Sequence, residues 1–503
     1  MKRKAGFFFF IFLNTILFGQ QSIEVLQMGG IRYYVQNAGV NFENRGKPGF
    51  EVPKGSGVYG IRSSGLWVGG QDSSGGIRLA IACYDSSGRD FQPGPVDRST
   101  IQADDTSYWN FTWHVDSAQV AIHKSAYNNS NYTAPWVIEN WPGSNSRPGD
   151  YSPVLAPFID LNQNMIYEPD SGEIPYFKGQ EAAYSIYNDK RPYHQQSGTQ
   201  AMGLEVYQMV YTMSELPQVV FVQYRIINRS YSRYDSVYAG IYTDFMLGFD
   251  GDNYISTDSA RNSYFCYNGY PYDSNGYLDQ PPVMGVKFLN ARMNKSISFN
   301  WNTNNYMGWP ETPQEYYGYM KAKWKDGSEI SDPNSSQKSF LFQGDPCKGS
   351  GWTEYGSSGI VPGRRNMLGT TGPVSLNHGD IIKLDIAYIF TQKQKSVLDN
   401  ICDYYIHADE VQNYWKQNIS GLARPKIQGQ LKCYPNPTSG ILHWELPHEK
   451  EAQSITLCDM QGRCITINPA AKEMDTRKLA HGIYLLRIQD YLGNTYSAKV
   501  IVE

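Results

Sequence analysis

The chain lacks the short patterns that usually signal chemistry. It has no Gly-x-x-x-x-Gly-Lys-Ser/Thr loop, and no Gly-x-Gly-x-x-Gly opens a helix, so nothing is built to cradle a nucleotide phosphate. Gly-x-Ser-x-Gly and His-Glu-x-x-His are absent, which removes the usual signatures of a serine hydrolase and a zinc peptidase. No Cys-x-x-Cys occurs and the 8 histidines are scattered, so no Cys/His set has zinc spacing. Charged residues are 18% of the chain, below the roughly 25% of ordinary globular proteins. The formal net charge of −4 gives no electrostatic case for nucleic acid. Past the first twenty residues no run approaches the ~18 apolar residues of a membrane-spanning helix.

What is present starts at the N-terminus. Lys2, Arg3 and Lys4 precede an apolar run from Phe7 to Phe18, interrupted at Asn14 and Thr15. These are the charged and apolar regions of a secretory signal peptide, with Gly19 a small residue at the expected cleavage point. Residues 1–20 are expected to leave, taking three positive charges and lowering the net charge from −4 to −7. The mature chain then crosses no membrane. Its 39 Tyr, 47 Gly and 21 Phe suit a β-rich extracellular body with many turns. The predicted fold is mainly β: a body of several sheets over residues 21–425, with a subdivision near 200, one long amphipathic helix, a linker at 426–432 and a small sandwich at 433–503. The helix rests on Ser396 as its cap and on Leu398, Ile401, Tyr405, Ala408, Val411 and Trp415 at helical spacing.

The last segment opens on Tyr434-Pro435-Asn436-Pro437-Thr438-Ser439-Gly440, a turn whose two prolines cannot sit inside a central strand. Short strands follow at 441–446, 454–459, 463–467, 483–488 and 496–502, with a hairpin at Met460-Gln461-Gly462. Cys458 and Cys464 flank that hairpin and are predicted to face each other on the side away from the core. The total of 7 cysteines is odd, so at least one stays unpaired in a monomer. The ordered set of the opening turn, Leu457-Cys458-Asp459-Met460-Gln461-Gly462-Arg463 and Leu479-Ala480-His481-Gly482-Ile483-Tyr484 resembles the type A C-terminal sorting domain of the type IX secretion system. The resemblance implies an Ig-like sandwich in which Pro435, Asn436, Pro437, Gly440, Gly462, Gly482 and Tyr484 carry the sorting signal. It implies export across the outer membrane by a translocon that reads this domain. A sortase then usually removes the domain and can join the body to surface lipopolysaccharide. It brings no catalytic residue.

Two acidic loops carry the candidate ligands of the body. In Asp160-Leu161-Asn162-Gln163-Asn164-Met165-Ile166-Tyr167-Glu168, oxygen side chains at 160, 162 and 164, the carbonyl of Ile166 and Glu168 follow the order of a calcium loop. Met165 stands where Gly makes the sharp turn, and Ser171 where the bidentate Glu belongs, with Glu173 nearby. The plainer reading is an Asx-rich turn bonded to its own backbone. In the second loop Asp244, Asp250, Asp252 and Asn253 are expected to share a calcium ion, or else to form a solvated connection turning at Gly251. Paired carboxylates there would also suit a glycoside hydrolase. Tyrosines crowd 264–272 and 316–319, where exposed rings would stack on sugars and buried rings would only fill a core.

Gly65-Leu66-Trp67-Val68-Gly69-Gly70, Tyr187-Asn188-Asp189 and Tyr224-Arg225-Ile226-Ile227-Asn228-Arg229-Ser230 also resemble stretches of a recurrent group of large secreted proteins with the same tail. That resemblance implies no reaction. The functional expectation is an exported, non-enzymatic adhesin or structural protein, with a glycan-binding protein or glycoside hydrolase as the alternative.

Overall fold

Residues Val219–Asn228, Val-Val-Phe-Val-Gln-Tyr-Arg-Ile-Ile-Asn, are almost continuously apolar because the strand they form is covered on both faces. The computed structural model describes residues 22–85, 89–145, 148–301, 304–356, 359–394, 396–419, 431–446, 452–459, 464–468, 471–490 and 495–503. The expected signal peptide, most of the expected 426–432 linker and Gly462 lie outside these residues.

Two nine-stranded sheets form the body. The first runs through Ile23–Met28, Ile31–Gln36, Val40–Asn41, Tyr59–Gln71, Tyr234–Phe245, Asn366–Leu376 and Lys295–Ile297. The second runs through Trp113–Asp116, Glu181–Asn188, Leu204–Thr212, Val219–Asn228, Ile381–Thr391, Val283–Phe288, Ser263–Asn268 and Asn253–Asp258. Alternation along each strand divides the second sheet between two cores. Val220, Val222, Tyr224, Leu384, Ile386 and Tyr388 pack with the first sheet. Val219, Phe221, Ala387 and Ile389 point the other way, onto the helix Val397–Tyr414.

Several polar side chains in the layer between the sheets pair with one another. Asn41 Nδ2 donates to Tyr224 Oη at 3.1 Å, and the hydroxyls of Ser64 and Tyr388 are 2.8 Å apart. Trp67 is fully buried and stacks on Tyr242, their ring centres 5.7 Å apart. Its neighbour Gly65 cannot be larger, because a Cβ there would lie 1.9 Å from the carbonyl oxygen of Ala82.

A division near residue 200 would cut both sheets. Glu181–Asn188 pairs with Leu204–Thr212, and Tyr59–Gln71 pairs with Tyr234–Phe245. The long helix begins where predicted, with Ser396 Oγ accepting from the Asp399 amide. Ile401, Tyr405, Ala408, Val411 and Trp415 are buried, whereas Leu398 is only half-buried and Tyr404 takes the deeper place. A disulfide from Cys347 to Cys402 ties the helix to the loop that precedes the strand Asn366–Leu376.

The tail folds around its own core of Leu442, Trp444, Ile455, Leu457, Leu486, Ile488 and Val500. A three-stranded sheet, Lys432–Tyr434, Ile441–Glu445 and Glu473–Asp475, joins a four-stranded one, Cys464–Ile467, Ala452–Asp459, Gly482–Asp490 and Thr495–Val502. The strand Glu473–Asp475, Glu-Met-Asp, is too short and polar for apolar alternation to mark it in the sequence. Cys458 and Cys464 are register partners and form a disulfide. Cys83, Cys266 and Cys433 are free.

Candidate functional site: two acidic loops and the sorting tail

The first loop closes on itself. Asp160 accepts the amides of Asn164 at 3.2 Å and Met165 at 2.9 Å through its two oxygens. Asn162 accepts from Asn164, and Asn164 from Ile166, each two residues on. Met165 takes φ of 63°, the left-handed turn that Gly would supply at that position, so its side chain does not prevent the loop. Glu168 accepts from both the Asn162 and Asn164 amides at 2.7 Å, which hold its carboxyl below the usual range.

Glu173 is fully buried and bridges the loop, accepting from the backbone amides of Leu161 and Glu168 at 2.9 Å each. Burial raises its pKa against those hydrogen bonds, with the Asp160 and Glu168 charges adding to the rise. The loop therefore gathers Asp160, Asn162, Asn164, Glu168 and Glu173, whereas the side chain of Ile166 is exposed and only its carbonyl could serve. Among the described residues no three His, Cys, Asp or Glu side chains stand together as a metal cluster. A cation here would depend on amide and carbonyl oxygens.

The second loop separates the residues expected to act together. Asp244, fully buried at the end of its strand, faces two arginines. Arg364 Nη2 lies 2.5 Å and Arg62 Nε 3.6 Å from its Oδ2, and Tyr84 Oη donates to the same oxygen at 2.8 Å. Burial raises its pKa despite these partners. The arginines supply the positive charge that a shared cation would have brought, so Asp244 is not free to join Asp250 and Asp252. Asp250 lies 3.6 Å from Arg62 Nη2. Asp252 turns away to the amide and hydroxyl of Ser274. Burial, with the Asp273 charge adding, pushes it up to about 6.

Above Asp244 lies an aromatic surface that no sequence spacing revealed. The Arg364 guanidinium sits 4.2 Å from the ring centre of Trp301, which is 37% exposed and stacks on Trp309 at 4.6 Å. Tyr84 packs beside both rings. Arg62, Tyr84, Trp301 and Arg364 come from four separate segments, so only the fold could join them. The tyrosine clusters mostly resolve as core: Tyr264, Tyr267, Tyr316, Tyr317 and Tyr319 are buried, whereas Tyr270 and Tyr272 are exposed. Of the two alternatives for the 316–319 cluster, core filling is the one found: those rings fill the space beneath the first sheet.

In the tail, the Pro-Asn-Pro turn lies along the free edge of the last strand. Asn436 Nδ2 donates to Lys499 O at 2.6 Å, and its Oδ1 accepts from the Ile501 amide at 2.9 Å. Thr438 continues the pairing, donating to Ile501 O at 2.8 Å and accepting from Glu503 N at 2.9 Å. Pro435 and Pro437 bracket the bonding Asn and add no competing amide donor. Gly440 accepts from the Thr476 amide at 2.8 Å. Tyr484 Oη donates to Ala480 O at 2.8 Å, and Gly482 opens its strand.

Residues 432–503 match a family model described as a secretion system C-terminal sorting domain. None of the curated proteins matches the chain. Among solved structures, a polysaccharide lyase is similar at 8% identity and a TM-score of 0.20, over 62% of this chain and 36% of the lyase. The chain thus spans about a third of that lyase's length. A putative aldose 1-epimerase from Escherichia coli K12 is similar at 10% identity and a TM-score of 0.22, over 74% of this chain and 100% of the epimerase. The tail is a type IX sorting signal, and it directs the protein across the outer membrane to the cell surface or beyond. No helix among the described residues is long and apolar enough to cross a membrane.

Proposed function

We propose that the exported body acts as a non-enzymatic adhesin or structural protein, stabilised by calcium at the 160–173 loop. The observation that carries this reading is the state of the 244–252 carboxylates. Asp244 is spent on Arg62, Arg364 and Tyr84, Asp250 on Arg62, and one oxygen of Asp252 on Ser274. Acid–base cleavage of a glycoside needs two carboxyl groups facing a shared cleft, and side chains committed to internal partners suit a scaffold better. Calcium is supported by the oxygen set of Asp160, Asn162 and Asn164 and by the φ of Met165.

A second reading, glycan binding, is favoured by the exposed Trp301 ring with Arg364 and Trp309 against it. Both readings meet one test. Purified mature protein is incubated with a polysaccharide panel, and retention and newly formed reducing ends are measured in the same samples. Retention that Trp301→Ala weakens favours glycan binding, and no retention favours the structural role. Release of reducing ends that Asp252→Asn abolishes contradicts both.

A further inference from the structure

The paired strands Asn253–Asp258 and Ser263–Asn268 end in a knot of buried oxygens. Asn253 and Asn268 are register partners, and the carbonyl of Asp252 accepts from the Gly269 amide at 2.6 Å. Asp252, Asn253 and Asn268 therefore sit together, and none is more than 2% exposed. Each spends one polar atom on the turn at 270–274 or on Phe249 beside it. Asp252 Oδ2 accepts from the Ser274 amide at 3.2 Å and the Ser274 hydroxyl at 3.3 Å. Asn268 Nδ2 donates to the carbonyls of Tyr270 at 2.9 Å and Tyr272 at 3.1 Å. Asn253 Nδ2 donates to the carbonyl of Phe249 at 3.3 Å, and the Phe249 amide donates in turn to Asp273 at 3.0 Å. Carbonyl partners fix which end of each side-chain amide is the nitrogen, so the atom left over is an acceptor. Asp252 Oδ1, Asn253 Oδ1 and Asn268 Oδ1 are buried, and among the described residues none of them has a hydrogen-bond partner.

The charge is unmatched as well. Buried Asp244, Glu205 and Glu354 each lie within 3.0 Å of an arginine. Among the described residues Asp252 forms no ion pair. The charge of Asp273 adds to the cost of burying it, although the oxygens of Asp273 are themselves taken up by the amides of Phe249, Asn275 and Tyr277. We propose that this knot holds a monovalent metal cation, sodium or potassium, between Asp252, Asn253 and Asn268. Three open acceptors outnumber the two hydrogens of a water molecule, whereas one cation serves all three. Oxygen ligands without nitrogen or sulfur suit a hard cation. Calcium affinity grows with the number of charged ligands, and one open carboxylate among neutral amides is balanced by a single positive charge. The ion supplies the countercharge that a buried carboxylate needs, and it ties the 270–274 turn to the strand ends. The site shares no residue with the 160–173 loop.

The test follows thermal unfolding of the full mature chain, with chelator throughout so that the 160–173 loop holds no calcium. Sodium chloride or potassium chloride replaces choline chloride at constant ionic strength. A saturable rise in melting temperature is expected with at least one of the two ions. In Asp252→Asn the half-saturation concentration should rise at least tenfold. That variant should melt at or above wild type in choline, where it sheds an uncompensated buried charge, and below wild type in the ion that acts. A purely structural Asp252 would instead lower the melting temperature equally in every medium. Asn253→Asp gives up only the hydrogen bond of 3.3 Å to Phe249 and adds a second charge to the shell. It should lower the half-saturation concentration severalfold, and it carries the test if Asp252→Asn does not fold. Equal wild-type melting temperatures in choline, sodium and potassium overturn the proposal, as does an ion response that the folded variants leave unchanged.

Discussion

Replacing Asp244 by Asn separates a structural carboxylate from a catalytic one. The substitution keeps the shape and the acceptor for Tyr84 but removes the countercharge of Arg364 and Arg62. Those arginines are 34% and 23% exposed, so solvent screens part of the loss. A hydrogen bond to a charged group contributes about 1.5–3 kcal/mol, and a screened pair about 0.2–1 kcal/mol. The expected cost is therefore about 2–3 kcal/mol. Unfolding entropy of about 2.1 cal/mol/K per residue gives roughly 0.8 kcal/mol/K for a unit of about 400 residues. The melting temperature should fall by about 2–4 °C, read by calorimetry of the mature chain. Arg364→Met should also destabilise, and the double variant should cost at least about 0.5 kcal/mol less than the sum, since the two share one interaction. An Asp244→Asn protein that melts like wild type but loses activity on a polysaccharide would refute this reasoning.

Other consequences concern pH, the loop and the tail. Burial raises Glu43 and Glu354 to about 7 from the ordinary 4.5, so folding is favoured below pH 4.5 and loses that advantage as pH rises through 7. Each shift corresponds to about 3 kcal/mol at one pKa unit per 1.36 kcal/mol; Glu43→Gln should raise the melting temperature at pH 8 and leave it unchanged at pH 4.5. For His114, burial acts downward but the Glu181 and Glu24 carboxylates lift it to about 9, fastening the first strand to the second sheet. That contribution is complete below pH 6.5 and lost as pH rises through 9, so His114→Gln should destabilise at pH 6.5 and be neutral at pH 10. Calcium should raise the melting temperature and chelator lower it, and Asp160→Ala should abolish the difference. Asn436→Ala removes two hydrogen bonds to the last strand and should lower tail stability by about 1–2 kcal/mol, with a smaller exported fraction by immunoblot.

Local pattern made much of this structure legible. The strand at 219–228, the helix after Ser396 and the pairing of Cys458 with Cys464 follow from periodicity and turn chemistry. The sorting turn was legible as a motif, but its role as an edge strand beside 499–503 appears only when Asn436 is seen bonding backbone. Long-range convergence was hidden. Asp244 and Arg364 are 120 residues apart, and Cys347 and Cys402 are 55 apart. The interleaving of both sheets across residue 200 comes from strand order, which composition does not encode. The tyrosine clusters left core filling and sugar stacking both open, because a buried ring and a sugar-stacking ring have the same spacing in sequence.

The most direct test of the account compares the full chain with one ending at residue 431. Intact cells making each version are labelled with antibody to the body, and the label is counted against total protein. The account predicts surface or medium label for the full chain, and retention inside the outer membrane for the truncated one. Equal surface label from both would contradict it.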